Sequence, residues 1–141
     1  MKRILLVLAL MPAMISCTTD ADPEPPEVPA KYINKENPPV IKLAEKVHDF
    51  GAVPTNSVNE FDMEIENVGE SDLVIVDVRA QCGCTVPEWP REPIAPGETG
   101  KIHVKFTSNY HLGSFKKWVK IYANTYPSAE TEFFIIGEIE D

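Results

Sequence analysis

The sequence predicts an all-β protein, an antiparallel β-sandwich of about seven strands. From residue 40 onward, short segments with alternating apolar and polar residues recur at intervals of about 8–12 residues, the spacing typical of sandwich strands. Turn-forming Gly, Pro, Asn and Asp separate these segments. No segment keeps the apolar period of 3.6 residues that an amphipathic helix requires. About a hundred residues is the usual size of one such module, and it can bury one core.

The individual strands follow from these alternations. Residues 57–68 alternate most clearly, with apolar side chains on one face and acidic side chains on the other. Residues 101–107 repeat the pattern and place His103 on the polar face. Residues 73–79 form a β-branched run that is apolar enough at its start to be buried on both faces. The other predicted strands are residues 47–53, 115–123 and 131–139.

Two turns are encoded between these strands. Residues 67–72 contain Gly69, which is free to take conformations that other residues avoid. Pro96 and Gly97 occupy the central positions of a predicted type II turn. Both turns favour chain reversal and therefore antiparallel neighbours.

The N-terminus has the order of charges and apolar residues of an export signal. Lys2 and Arg3 precede an apolar run at residues 4–15, which is too short for a bilayer span of roughly 20 residues. The run ends at Cys17, and this arrangement resembles the lipobox of bacterial lipoproteins. The resemblance implies cleavage after residue 16 and acylation of Cys17. An ordinary secreted protein with an incidental cysteine is the alternative.

The next segment differs from the sandwich in composition. Residues 18–39 contain six prolines with acidic residues between them and few side chains that could fill a core. Such a segment favours extended polyproline geometry at roughly 3 Å per residue. The predicted organisation is therefore a lipoprotein signal peptide at residues 1–16, a lipidated cysteine and linker at residues 17–39, and a sandwich domain at residues 40–141.

The net charge limits the partners. The chain carries a formal charge of −9, and loss of Lys2 and Arg3 with the leader would leave about −11. Such a chain is repelled by nucleic acid and by anionic lipid head groups. The densest basic patch is small, comprising Lys116, Lys117 and Lys120. We therefore expect no nucleic-acid partner and a membrane contact only through the lipid anchor at Cys17.

Cys82 and Cys84 flank a single glycine directly after a predicted strand. In an extended chain their Cα atoms would lie roughly 6.5 Å apart, near the upper limit for a disulfide, and a bend at Gly83 would shorten that distance. Four alternatives remain: a disulfide, two packed reduced cysteines, a thiolate pair that binds Cu(I) or Zn, and a redox-active dithiol. The spacing of the two cysteines fits the redox-active dithiol least well, because the usual redox motif is Cys-x-x-Cys.

Other side chains give weaker signals. None of the three histidines has metal-ligand spacing to the cysteine pair, so a solvated or structurally bonded role is expected for each. Trp89 lies between prolines and is either a lid over the core or an exposed anchor for a partner, with the lid favoured. Trp118, in a predicted strand, is a second candidate partner contact. No phosphate loop, calcium loop or nucleophile elbow is present, so neither a cofactor nor an enzyme is expected.

Four motifs occur in a characteristic order and together resemble the bacterial domain-of-unknown-function family 1573. They are His48-Asp49-Phe50-Gly51, Asn67-x-Gly69, Cys82-Gly83-Cys84-Thr85 and Ile94-Ala95-Pro96-Gly97-Glu98. The resemblance implies an immunoglobulin-like sandwich of the major-sperm-protein or Hydin type, a fold used for binding and scaffolding. Members of the family are often exported lipoproteins of diderm bacteria, which implies a cell-envelope location.

The expected function is that of a non-catalytic envelope module that binds another envelope protein or a glycan. Thr18, directly after the lipidated cysteine, is compatible with the outer membrane, on either its periplasmic side or its surface. The alternative is a thiol-dependent role, metal binding or redox exchange, at Cys82 and Cys84.

Overall fold

The computed structural model describes residues 24–141, so the predicted signal peptide and Cys17 lie outside the described residues. A three-residue 3₁₀ turn at Ala30–Tyr32 precedes the strands. The strands are β1 (Ile41–Leu43), β2 (Val47–Pro54), β3 (Val58–Asn67), β4 (Ile75–Ala80), β5 (Thr85–Glu88), β6 (Thr99–Thr107), β7 (Gly113–Ala123) and β8 (Glu130–Glu140).

The eight strands form two four-stranded sheets that pack face to face. One sheet has the order β1-β3-β6-β5 and the other the order β2-β8-β7-β4. The predicted fold class, an all-β immunoglobulin-like sandwich, is confirmed. One strand pair differs from the antiparallel expectation, because β2 runs parallel to β8. The chain crosses from the first sheet to the second between β1 and β2. β2 therefore joins the second sheet at its edge, where it runs parallel to β8.

The core lies between the inner faces of the two sheets. Alternate residues of β3 and β6 point into it, as the sequence pattern predicts. Eleven of its side chains are at most 2% exposed: Met63, Ile65, Leu73, Ile102, Val104, Phe106, Val119, Ile121, Ala123, Phe133 and Ile135. Removing this apolar surface from water is the main force that holds the sheets together.

Two strands lie where no strand was predicted. β1 has only three residues, too few to show an alternation. β5 has only four residues and includes Pro87, which interrupts a strand pattern. A proline is tolerated there because β5 is an edge strand that pairs only with β6.

The described part of the predicted linker contacts the sandwich. Nη1 of Arg79 donates to the carbonyl oxygen of Glu24 at 2.8 Å, and Nδ2 of Asn124 donates to that of Tyr32 at 2.8 Å. Near the end of the segment Pro39 is fully buried. At these points the described part of the segment lies against the sandwich, and the linker role of residues 17–39 stays a prediction.

Candidate functional site

The cysteine pair lies at one end of the sandwich, in the short connection between β4 and β5. In the structure Cys82 and Cys84 form a disulfide, with Cα atoms 5.2 Å apart. Both cysteines are partly exposed. Gly83 between them is exposed, and a Cβ atom built on it would meet no atom within 4 Å. The disulfide is therefore open to solvent on the Gly83 side.

Thr85 lies beneath the disulfide and is only 4% exposed. Its hydroxyl oxygen is 3.8 Å from Sγ of Cys82 and 3.9 Å from Sγ of Cys84. The backbone around the pair is held by other bonds, because the carbonyl oxygen of Cys82 accepts from Thr85 N–H and that of Cys84 accepts from Thr107 N–H. The position of the pair therefore does not depend on the disulfide alone.

A cavity of about 200 Å³ adjoins Cys84. Lys117 contributes to its wall from the inward-facing side of β7, in the same alternation as the buried Val119 and Ile121. A lysine on the core-facing side of a strand is unusual, since burial of an ammonium group is costly without a partner. Among residues 24–141, no carboxylate lies within ion-pair distance of Lys117.

The loop beside this cavity carries exposed apolar side chains. Tyr110 is 76% exposed and Leu112 is 58% exposed, and Leu112 also lines the cavity. His111 contributes to the same wall. Exposed apolar side chains beside a cavity are typical of surfaces that contact another molecule.

The other two histidines have structural partners. His48 stacks on Phe61 with ring centroids 3.7 Å apart, and its Nδ1 lies 2.6 Å from a carboxylate oxygen of Glu45. His103 lies on the solvent face of β6, with Nδ1 2.8 Å from a carboxylate oxygen of Asp62. Within the part of the chain that the structure describes, no group of three or more His, Cys, Asp or Glu side chains is arranged to hold a metal ion.

The His103–Asp62 contact is the clearest titrating pair. The hydrogen bond with Asp62 raises the pKa of His103, and the same bond lowers the pKa of Asp62. A histidine whose pKa is raised in the folded state stabilises the fold at low pH, and this stability is lost as the pH rises through the folded-state pKa. A carboxyl group whose pKa is lowered in the folded state stabilises the fold at higher pH, and this stability is lost as the pH falls through its folded-state pKa. The pair therefore stabilises the fold most between about pH 4 and pH 6.5.

We expect Asp62→Asn to bring the pKa of His103 back toward that of an ordinary histidine, because its main partner is then uncharged. An NMR titration of the His103 ring protons measures this. Glu60→Gln is the matched control, since Glu60 lies 3.9 Å from the other ring nitrogen and should have a smaller effect. An unchanged titration in Asp62→Asn would contradict the assignment.

The two tryptophans lie in different environments. Trp89 packs against the core, and the guanidinium of Arg91 lies 3.9 Å from its ring centroid. Its indole Nε1 is buried without a hydrogen-bond partner among the described residues. Trp118 lies on the outer face of its sheet, directly opposite Phe134, with Nζ of Lys120 5.1 Å from its ring centroid. A partner contact at either tryptophan stays a prediction.

A groove of about 850 Å³ runs along the open side of the sandwich, between β1 of one sheet and β2 and β8 of the other. Its apolar lining consists of Val40, Ile41, Leu43, Val47, Val68 and Phe134, and its charged lining consists of Lys42, Lys46, Lys116, Glu130 and Glu132. Three of the valines are 43–47% exposed: Val40, Val47 and Val68. These three side chains leave apolar surface in contact with water.

Both walls of this groove contain strand edges without a neighbour. β1 pairs only with β3, so its other edge faces the groove. β2 begins opposite Phe134, and residues 130–133 of β8 therefore have no strand beside them on the groove side. We call this lining together with the free strand edges of β1 and of residues 130–133 the groove site.

A match to a family model relates the chain to known proteins. The model of the family described as "Protein of unknown function (DUF1573)" matches residues 41–139, and the chain belongs to this family. The predicted resemblance is thereby confirmed. No curated protein matches the sequence.

Solved structures support the fold. A protein of unknown function from Porphyromonas gingivalis W83 superposes with a TM-score of 0.61 at 18% identity, over 71% of this chain and 46% of that one. The PapD-like domain 7 of human CEP192 gives a TM-score of 0.54 at 14% identity, over 90% and 97%. The secreted serine protease VesC from Vibrio cholerae gives 0.57 at 13% identity, but only 23% of the protease chain is covered. The chain spans about half the length of the Porphyromonas gingivalis protein. At these identities the likeness concerns the fold alone.

The groove site and Lys117 were not identified from the sequence. The groove is formed by β1, which the sequence pattern did not reveal, and by the register of β2 against β8. Lys117 did leave a signal: in the series Phe115, Lys117, Val119 and Ile121 it is the charged member of an otherwise apolar alternation.

Proposed function

We propose that this protein is an exported envelope lipoprotein, anchored through acylated Cys17, whose sandwich binds an extended segment of another envelope protein in the groove site. The leader, the Cys17 motif and the proline-rich segment support the anchor. Across residues 24–141, no helix has the length and hydropathy needed to cross a bilayer. The outer membrane is the proposed location.

The groove site is the observation that carries the binding role. An unpaired strand edge offers a row of backbone donors and acceptors, and an incoming strand can pair with it. At the groove site such an edge borders an apolar surface, which would take up the alternate side chains of that strand. The two features together fit strand addition.

The lining also selects the class of partner. Six of its twelve lining residues are apolar and lie beside the strand edges, which suits the alternate apolar side chains of an extended protein segment better than the hydroxyl groups of a glycan. The partner proposed is therefore a protein segment in extended conformation with apolar residues at alternate positions. The groove site holds no nucleophile beside a base, so it supports binding and no chemical step.

Selection from a displayed library of linear peptides tests this proposal. We expect selected peptides to bind the full chain, and Val47→Asp and Val68→Asp each to weaken binding by at least about tenfold, because a charge would replace a buried apolar contact. Val58→Asp is the control, since Val58 is 55% exposed and does not line the groove. Hydrogen exchange should show new protection of amides in residues 130–133.

Two results would count against the groove site. One is peptide binding that is equally sensitive to Val58→Asp and Val47→Asp. The other is a failure to select any peptide with alternate apolar residues.

The thiol-dependent alternative divides into two parts. No observation supports metal binding, because the two sulfurs are bonded to each other and no metal-ligating cluster occurs among the described residues. Redox exchange is compatible with a disulfide whose two cysteines are partly exposed.

A further inference from the structure

The Cys82–Cys84 disulfide closes a very short loop, with a sequence separation of 2. The stability that a disulfide gives by restricting the unfolded chain grows with the length of the loop it closes, so this one contributes little in that way. The main-chain bonds from Thr85 and Thr107 hold both cysteines in place in any case. The sandwich can therefore accommodate the pair in the reduced form as well.

The reduced form would have a stabilised thiolate. Lys117 and Cys84 line the same cavity, and no carboxylate lines it with them. A nearby lysine favours the thiolate form of a cysteine. The buried Thr85 hydroxyl, within 4 Å of both sulfurs, can donate to a sulfur anion as well.

The pair is also accessible to another thiol. Cys82 is partly exposed and the space around Gly83 is open, so another thiol can approach the disulfide from solvent. Tyr110 and Leu112, exposed in the loop beside the cavity, offer an apolar contact for the molecule that carries this thiol. Buried structural disulfides have neither feature.

From these observations we propose that Cys82 and Cys84 are a redox-active pair that oxidises two cysteines of an exported partner protein, with Lys117 stabilising the Cys84 thiolate. A thiolate of the partner attacks Sγ of Cys82, the Cys82–Cys84 bond breaks, and Cys84 leaves as a thiolate beside Lys117. The second thiolate of the partner then attacks the partner's sulfur in the mixed disulfide and releases Cys82. Two electrons pass from the partner dithiol to the pair; of the two protons that the partner thiols lose to water, one is taken up by Cys82 and the other stays in water while Cys84 remains a thiolate.

This inference is independent of the groove site, which lies toward the opposite end of β8. Variants of the groove site should leave thiol exchange unchanged, and variants of Lys117 should leave peptide binding unchanged. Failure of one proposal therefore leaves the other standing.

The test uses the full chain with Cys17→Ser, which leaves Cys82 and Cys84 as its two thiols. The protein is equilibrated in reduced and oxidised glutathione, alkylated, and weighed intact by mass spectrometry. We expect both forms to coexist within the range of these buffers, as for labile disulfides. Lys117→Met should shift the equilibrium toward the disulfide and slow alkylation of the reduced protein, each by about threefold to tenfold.

Controls separate this effect from general damage to the fold. Lys116→Met is the matched control, because Lys116 is also a lysine of β7 but lies on the outer face, over the ring of Phe134. This variant should change neither the redox equilibrium nor the alkylation rate by more than about twofold. Lys117→Arg should restore the behaviour of the unaltered chain. A disulfide that glutathione does not reduce, or a Lys117→Met variant indistinguishable from Lys116→Met, would overturn the proposal.

Discussion

Asn67→Ala is expected to lower the free energy of unfolding by about 3–5 kcal/mol, a large part of the stability of a domain this size. Asn67 is fully buried at the end of β3. Its Nδ2 donates to the carbonyl oxygens of Ser71 and Ile94 at 2.8 and 2.9 Å, and its Oδ1 accepts from Gly69 N–H at 3.1 Å. Alanine removes all three bonds, so the partly buried Gly69 N–H and Ser71 carbonyl oxygen lose this partner, while the Ile94 carbonyl oxygen still accepts from Leu73 N–H.

Urea unfolding measures this effect as a lower midpoint with an unchanged slope. Asn109→Ala is the control, because Asn109 is exposed and its side chain accepts one hydrogen bond, from His111 N–H. It should cost less than about 1 kcal/mol. If Asn67→Ala and Asn109→Ala unfold at the same urea concentration, the side chain of Asn67 does not have the central role described.

Gly69→Ala is expected to cost about 2–3 kcal/mol and to detach the segment before β1. A Cβ atom on Gly69 would lie 2.5 Å from the carbonyl oxygen of Pro38 and 2.6 Å from Cα of Pro39, and would also contact the amide nitrogen of Val40. These are backbone atoms, so no rotamer change relieves the overlap. The segment must move away, which breaks the bond from Val68 N–H to the carbonyl oxygen of Val40.

Hydrogen exchange followed by mass spectrometry reports the detachment as faster exchange in residues 30–43. Gly83→Ala is the control, since a Cβ atom there meets nothing within 4 Å, and it should leave this exchange unchanged. Equal exchange of residues 30–43 in the two variants would show that Gly69 is not needed for close approach.

The sequence was sufficient for the fold class because the sandwich core depends on alternation. In β3 and β6 every second side chain must be apolar to reach the core, and this period is visible in the sequence. The turn residues Gly69, Pro96 and Gly97 then separate the strands. The same information could not show that β2 pairs with β8 in parallel, since that depends on contacts between distant segments.

The candidate sites were harder to predict for a related reason. The groove site exists because β1 and β2 lie in different sheets, and the sequence does not record which sheet a short strand joins. The relation of Lys117 to Cys84 likewise depends on the sandwich bringing β7 beside the β4–β5 connection. The cysteine pair itself was recognisable, because two cysteines around one glycine form a compact local motif.

Anchoring of an exported sandwich through Cys17 is tested by the intact mass of the protein extracted from membranes and alkylated with and without reductant. We expect a chain that begins at residue 17, carries the added mass of fatty acyl chains, and gains two alkyl groups only after reduction. A chain that still carries residues 1–16, without acyl mass and with Cys82 and Cys84 alkylated before reduction, would contradict it.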